Sequence, residues 1–463
     1  MTETSDATTI RIGWASRDIT PPRPCALHGQ FYLRISQGAA DPLTATALAL
    51  EARAGEGSAA IMLSCDLVGV FPAVHERLKE EVHRRLPDFD VKLFFAGGTH
   101  THCGPTLENP GYPAQAPPVM SEDEAADWFI TRAAEAAEEA WRKRTHGVIG
   151  WAYTHAVVGH NRRAVYKDGG ARMYGKTRDE QFECFEGYED HGLDLLGTWD
   201  PAGRLTGIIV NVACPSQVSE HEMKFTADFW HETRGALRDR LGKDLFILPQ
   251  CAPAGDQSPH LLIHKDLEKL MWERRGVSQR QEIARRIASA VEEALPVAKS
   301  GLRGAPILHH HVEALPLPMR LVTAEECAQA HSEIARLEAD GAIEPRNRFA
   351  FLHRARRTLE RFEEQKRSAM LPIELHVLRL GDVAFATNPF ECFLDYGLRM
   401  KARSPAVQTF CVQLVAGYNG YLPTQRAVSG GHYGAEIASN QVGPEGGQRL
   451  VDRTVEVLNQ LWT

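Results

Sequence analysis

The sequence predicts an α/β protein built of mixed β-sheets flanked by helices. Three observations carry this. Short, apolar, β-prone runs alternate with longer stretches along the whole chain. The longer stretches keep their apolar residues on one helical face. Four of the apolar runs break off into turns rich in Gly, Pro and polar side chains. Interleaving of this kind belongs to layered α/β architecture.

The elements follow in order. IRIGWASRDITPP opens with an alternating strand that stops at Pro21-Pro22. ALALEARAG and SAAIMLSCDLVGV read as a strand pair around a turn at Gly55–Ser58. AVHERLKEEVHRRL is an amphipathic helix. VKLFFA, Val91 to Ala96, is a short buried strand that Gly97-Gly98 should break. The stretch from Glu122 to Arg144 is a long helix, with acids early and bases late to match its dipole. GIIVNVAC and DLFILPQCAP are two further strands, and SQRQEIARRIASAVEEAL is another helix. ILHHHVEAL carries His309, His310 and His311 but alternates like a strand, so it is read as one and not as a metal tract. The segment from about 323 to 370 is highly charged and helical, with a break at Gly341 and Pro345, and reads as an insertion that caps or flanks the core. ELHVLRLGDVAFATNPFE is a strand pair ending at Asn388-Pro389. No repeat and no Gly-, Ser- or Pro-rich linker divides the chain, which predicts one domain over 1–463.

Composition narrows the function. With 43% hydrophobic and 24% charged residues the chain is globular, and a net charge of −8 argues against nucleic-acid binding. No run of 18 apolar residues is present, so no membrane span is expected. The polar start MTETSDATTIRIGW lacks the order of a signal peptide. Nine scattered cysteines, an odd count without CxxC, suit reduced thiols in a cytoplasm.

Chemistry concentrates where strands end. The four clusters are GTHTHCGP, NVACPSQVSEHE, PQCAPAGDQSPH and TNPFECF. Such turns make poor core and good site material. If the chain stays extended after Thr99, His100 and His102 point the same way, since strand side chains repeat every two residues. They would then serve as two metal ligands, or as one ligand and one acid–base group. Two loop histidines bonded to backbone are the plainer alternative.

Taken in order, these motifs resemble the neutral, zinc-dependent ceramidases. RDITPP, GTHTHCGP, GHNRR, AGDQSP, NPFECF, GYLPT and GGHYGA match that family's succession of turns, as does the spacing of Tyr421 and Tyr433. The resemblance implies the ceramidase catalytic fold, a zinc ion and hydrolysis of an amide-type bond in a small molecule. It implies that His100, Glu391 and Tyr421 hold metal, that His102, Arg162 and Tyr433 face the scissile bond, and that Ser258 stands for the family's active-site serine. Zinc in catalytic sites takes N and O ligands and keeps one position for water. Tyr421, Arg162 and Ser258 each also have a purely structural reading, as packed aromatic, ion-pair partner and turn residue.

The chain departs from the family at its second histidine ligand. That position reads Cys214-Pro215-Ser216-Gln217. Cys214 thiolate could replace the imidazole, His221 or His231 could fill the gap, or the metal could be lost, with Ser258 or Cys214 acting as nucleophile. An inert buried thiol is the fourth reading. Phe390, where the family commonly has glycine, is expected to reshape the pocket. The chain ends at Thr463, without the family's C-terminal β-domain, so a soluble substrate is expected rather than a membrane lipid. The leading expectation is a zinc-dependent amide hydrolase. The alternatives are a metal-independent or repurposed enzyme acting on a carbohydrate or other polar metabolite, and a noncatalytic binding protein.

Overall fold

The computed structural model describes residues 10–52, 58–109, 111–113, 115–339 and 345–463, with side chains from 348 in the last segment. Three larger sheets organise it. The first has strand order Phe94–Gly98, Ala59–Cys65, Thr44–Glu51, Arg11–Asp18, Thr145–His146. The second runs Phe246–Cys251, Leu205–Val212, Gly192–Trp199, Val148–His155. The third runs Leu308–Pro318, Met370–Leu380, Val383–Thr387, Gln408–Val412.

Among the described residues each of these sheets is antiparallel except for one parallel pair. A parallel pair needs a crossover, usually a helix. Here the crossovers are Pro72–Arg85, Phe229–Leu241 and Leu394–Arg403, one per sheet. Each βαβ unit leaves two strand ends with loops beyond them, and in open α/β sheets ligands bind outside the carboxyl ends of such strands. The six loops at these ends span 66–71, 99–107, 213–228, 252–258, 388–393 and 413–421.

The sheets meet in one apolar core. Trp14, Leu48, Met62 and Phe95 of the first sheet pack with Ile149, Ile209 and Leu248 of the second and Leu378, Phe385 and Phe410 of the third. Each such side chain contributes ~1.5–3 kcal/mol on burial. Helices cover the outer faces. Glu122–Arg142 presents a buried alanine face that includes Ala133, Ala137 and Ala140. It lies so close that a Cβ on Gly13 would fall 1.9 Å from the Ala140 carbonyl oxygen.

The mixed α/β fold is as the sequence predicts, with local corrections. Val91–Leu93 is a 3-10 turn capped by the Asp90 carboxylate, and the strand begins at Phe94. Gly97 and Gly98 do not break this strand but belong to it. A Cβ on Gly98 would sit 2.9 Å from the Leu67 carbonyl oxygen, so glycine is needed for close approach. Residues 55–57 of the expected turn, and Gly341 of the expected break, lie outside the described residues. Helices Ala324–Ala339 and Pro345–Glu364 form the charged segment, and Leu308–Pro318 is a strand through the three histidines. All nine cysteines are free thiols. Among the described residues no helix is long and apolar enough to cross a membrane.

Candidate functional site

The six strand-end loops converge on one polar cluster. His100 has a positive φ of 65°, an unusual conformation for a non-glycine residue that costs ~1–3 kcal/mol. Its surroundings hold it there: its amide donates to the Leu67 carbonyl, and its ring Nδ1 lies 2.8 Å from the Val68 carbonyl oxygen. A carbonyl only accepts, so Nδ1 carries a proton and Nε2 faces the cluster. The extended geometry expected after Thr99 therefore does not occur. The two imidazoles meet because of the turn at His100, with Nε2 atoms 3.3 Å apart. Gly29 supports the second ring, since a Cβ there would lie 2.4 Å from His102 Cγ.

Two short strand pairings place the other groups. Glu391–Cys392 pairs in parallel with Tyr421–Leu422, which puts Glu391 beside Tyr421. Gln257–Ser258 pairs with His160–Asn161, which sets Ser258 opposite His160, just before Arg162. Glu391 Oε2 is 3.3 Å from His100 Nε2 and 3.9 Å from Arg162 Nη2. Tyr418 donates to Glu391 Oε1 at 2.8 Å. Arg162 donates to Gly255 O at 2.8 Å, Tyr174 OH at 2.9 Å and Tyr421 OH at 3.3 Å. The Tyr421 and Tyr433 hydroxyls are 3.1 Å apart.

Burial pushes the Glu391 carboxyl up, but His100 and Arg162 outweigh it and hold the group below the usual carboxylate range. Burial, followed by His100 and Arg34, pushes His102 well below its ordinary value, so it is a neutral imidazole. Burial opposes the Arg162 charge, yet Tyr174, Tyr421 and Glu391 raise it overall. Burial and Glu391 raise Tyr418, Tyr421 and Tyr433, which therefore remain hydrogen-bond donors.

The fold now has a counterpart. Two solved structures share it: a ceramidase complexed with C2, and the neutral ceramidase from Pseudomonas aeruginosa. The TM-score is 0.68 with each, at 14% and 16% identity respectively, over 98% of this chain and 75% of each of theirs. The fold is ceramidase-like. No family model and no curated protein matches the chain.

Within this ceramidase-like fold, His100, His102, Arg162, Glu391, Tyr421 and Tyr433 come together. Ser258 is one step removed: its buried Oγ accepts from Tyr174 OH at 3.3 Å and from the His260 amide at 3.1 Å. The His260 ring turns instead to the Gln217 carbonyl. Cys214 is not brought in. Its sulfur lies 3.4 Å from the Pro215 carbonyl oxygen and 3.7 Å from that of Val158, in a core with Phe229 and Trp230. Burial pushes its thiol well above the ordinary value, away from thiolate. His221 and His231 are exposed. Phe390 is fully buried in the core behind Glu391, and so does not reshape the pocket as expected.

Gln217 reaches the site in place of Cys214. Its Oε1 lies 3.4 Å from Arg162 Nη1 and its Nε2 lies 2.6 Å from His102 Nε2. Arginine offers no acceptor, so the amide oxygen faces it and the NH2 group donates to His102. His102 then carries its proton on Nδ1, 3.6 Å from Glu220 Oε2. Gln217 and His28 were both missed by reading motifs. His28 is buried with Nδ1 unpartnered, and burial, then His100 and Arg34, push it down to about 4. His28, His102, Glu391 and Tyr421 border a cavity of about 230 Å³, walled by Phe31, Phe71, Tyr418 and Tyr433.

The donors can be tested against the implied zinc. The His100–Glu391 separation of 3.3 Å matches the edge of a tetrahedron with bonds of ~2.0 Å. With its proton on Nδ1, the His100 ring would offer such an ion a lone pair at Nε2 beside the Glu391 carboxylate. Tyr421, set beside Glu391 by their parallel bridge, would be the third protein ligand, the number a catalytic zinc commonly has. Among the described residues no group of three or more His, Cys, Asp or Glu side chains is arranged to hold a metal. The nitrogen and oxygen donors of His100, Glu391 and Tyr421 are of the types zinc accepts, whereas the Cys214 sulfur faces the core.

Proposed function

We propose that this chain is a ceramidase-like hydrolase that cleaves an amide-type bond in a small, soluble molecule, working as one catalytic domain in the cytoplasm. What carries the reading is the pairing of His100 with Glu391, ringed by Arg162, Tyr421 and Tyr433, beside a cavity that Glu391 and the two tyrosines border, in a fold shared with two ceramidases. A zinc-like ion on His100, Glu391 and Tyr421 would supply bound water with its pKa lowered toward ~7.

The remaining residues divide the work. Tyr433, a protonated phenol at the cavity, donates to the oxyanion that develops on the carbonyl oxygen. Arg162 orients that phenol through Tyr421 and adds fixed positive charge. Neutral His102, whose Nε2 lone pair Gln217 holds at rest, takes a proton at Nε2 when that bond is given up and returns it to the leaving amine. Glu220 opposite Nδ1 stabilises the imidazolium formed in between. Ser258 keeps Tyr174 aligned on Arg162.

Elemental analysis of protein purified without added metal or chelator tests the ion. Close to one zinc-like ion per chain is expected, absent in His100→Ala. Stoichiometric metal in that variant would remove His100 from the ligand set. Turnover of N-acyl amides tests the activity, and none across a broad panel would end the proposal. A second, metal-independent reading rests on Arg162, whose guanidinium 3.9 Å from Glu391 already offers the carboxylate a counter-charge. Metal-free protein that retains turnover selects it.

A further inference from the structure

Helix Pro345–Glu364 lies in the charged segment that sequence alone left at the edge of the core. Two of its side chains, Phe349 and His353, stand in the wall of the cavity above Glu391. They are four residues apart and so share a helix face. The Phe349 ring centroid lies 5.6 Å from that of Tyr112 and 6.2 Å from that of His353, to which it stacks at 12°. Tyr112 is itself fixed, donating to the Gln30 carbonyl at 2.7 Å.

The helix is anchored on the catalytic loop rather than leaning on it. Arg354 lies 5.9 Å over the Tyr433 ring and forms an ion pair with Glu436. Buried Arg361 donates to the carbonyls of Ile437 and Arg320. Three turns of one helix therefore grip the segment that carries Tyr433 while closing the cavity beside it.

The space left is small. The cavity measures about 230 Å³. Drug-sized ligands occupy ~300–1,000 Å³. The walls are aromatic, so what enters is apolar or flat. A long hydrocarbon chain does not fit while Phe349 and His353 are in place.

We propose that helix Pro345–Glu364 is the specificity element of this site: Phe349 and His353 close the cavity and limit the acyl side of the substrate to a short apolar group. This rests on the amide-hydrolase reading above. The test uses a neutral probe series, N-methylalkanamides from acetamide to dodecanamide, with binding to the full chain measured calorimetrically. Wild type should bind the short members and lose at least ~10-fold affinity at a cut-off well before dodecanamide. Phe349→Ala should move that cut-off outward by roughly three carbons, at ~30 Å³ each. His353→Ala, a second variant in case the first fails to fold, should move it in the same direction, and His353→Phe should keep it. An unchanged cut-off in the folded variants, or no binding by any probe, overturns the proposal. A shifted cut-off without hydrolysis of any probe would instead sink the hydrolase reading and leave the size limit standing.

Discussion

The loops after Leu205–Val212 and Val383–Thr387 occupy equivalent places, each at the carboxyl end of a parallel strand. In the second, Glu391 turns into the cluster, because its bridge to Tyr421 fixes which side chain points inward. Gln413 locks that turn by accepting from the Cys392 and Ala254 amides. In the first, Cys214 turns into the core, and the chain then bends at Pro215. Ser216 Oγ donates to the Thr99 carbonyl, and Gln217 extends to His102 and Arg162. The lesson is that backbone register decides which residue of such a loop reaches the site. A cysteine at a histidine's place in the sequence is not a thiolate at its place in the cluster.

The sharpest break of this comparison is Glu391→Gln. The amide keeps the shape but removes the charge that faces His100 and Arg162. Leaving buried Arg162 without this counter-charge costs ~3–5 kcal/mol. Turnover should fall by ~10³-fold or more, and thermal scans should show a lower midpoint. Near-normal activity would mean that the Glu391 loop is no more functional than the Cys214 loop.

Tyr433→Phe comes next. Removing one donor to a developing oxyanion should lower kcat by ~10²–10³-fold, with metal content unchanged. Tyr421→Phe should lose metal and activity together. A rise in KM alone for Tyr433→Phe would show uniform substrate binding instead.

What was legible in sequence follows the same division. Apolar period and turn chemistry are local, so the strands, the helices and the strand-end clusters could be read from them. Glu391, Tyr421, Tyr433 and Arg162 were reachable because whole motifs in order carried the resemblance. Gln217 and His28 were not, since nothing in CPSQ or LHGQ says which side chain faces inward. That depends on contacts distant in the chain, with His102 and Arg162 for Gln217 and with Phe71 and Tyr418 for His28. The wall made by Phe349 and His353 was likewise hidden, because helix period shows a face but not what it meets.

A pH experiment sharpens the account of the Cys214 loop at its far end. Asp228 caps helix Phe229–Leu241, accepting from the Phe229 amide at 2.8 Å and the Ser219 amide at 2.6 Å. Burial pushes its carboxyl up from 3.8 to about 6, against the pull of those amides. A raised folded-state pKa means that the folded chain binds more protons than the unfolded one between pH ~4 and ~6. This group's contribution is therefore greatest below pH ~4 and declines as pH rises to ~6, by about 3 kcal/mol in all. Asp228→Asn should lack that decline when urea midpoints are compared across the window. Equal slopes in the two proteins would show that Asp228 is not held in this protonated, buried state.

Gln217→Ala should have a smaller effect. It removes one hydrogen bond to His102 and one to Arg162 while leaving His100 and Glu391 paired. A neutral hydrogen bond is worth ~0.5–1.5 kcal/mol net, so activity should drop by roughly 10-fold. Gln217 donates to the lone pair of neutral His102, which favours the unprotonated ring. Its loss should move the acid limb of the activity profile to higher pH. An unchanged limb would show that Gln217 only fills space.

Cys214 should matter least to catalysis. Cys214→Ala removes one sulfur from a close-packed core and should lower stability by ~1 kcal/mol, with activity and metal content unaltered. Cys214→His is the more telling variant. If the loop merely lacked an imidazole, supplying one should raise metal retention. Register argues otherwise. The new ring would enter the space between Val158, Phe229 and Trp230, where overpacking costs ~1–3 kcal/mol and no site donor is in reach. A lower thermal midpoint with unchanged metal content is the expected result. Higher metal content would mean that the loop can turn residue 214 toward His100, and that residue chemistry overrides backbone register after all.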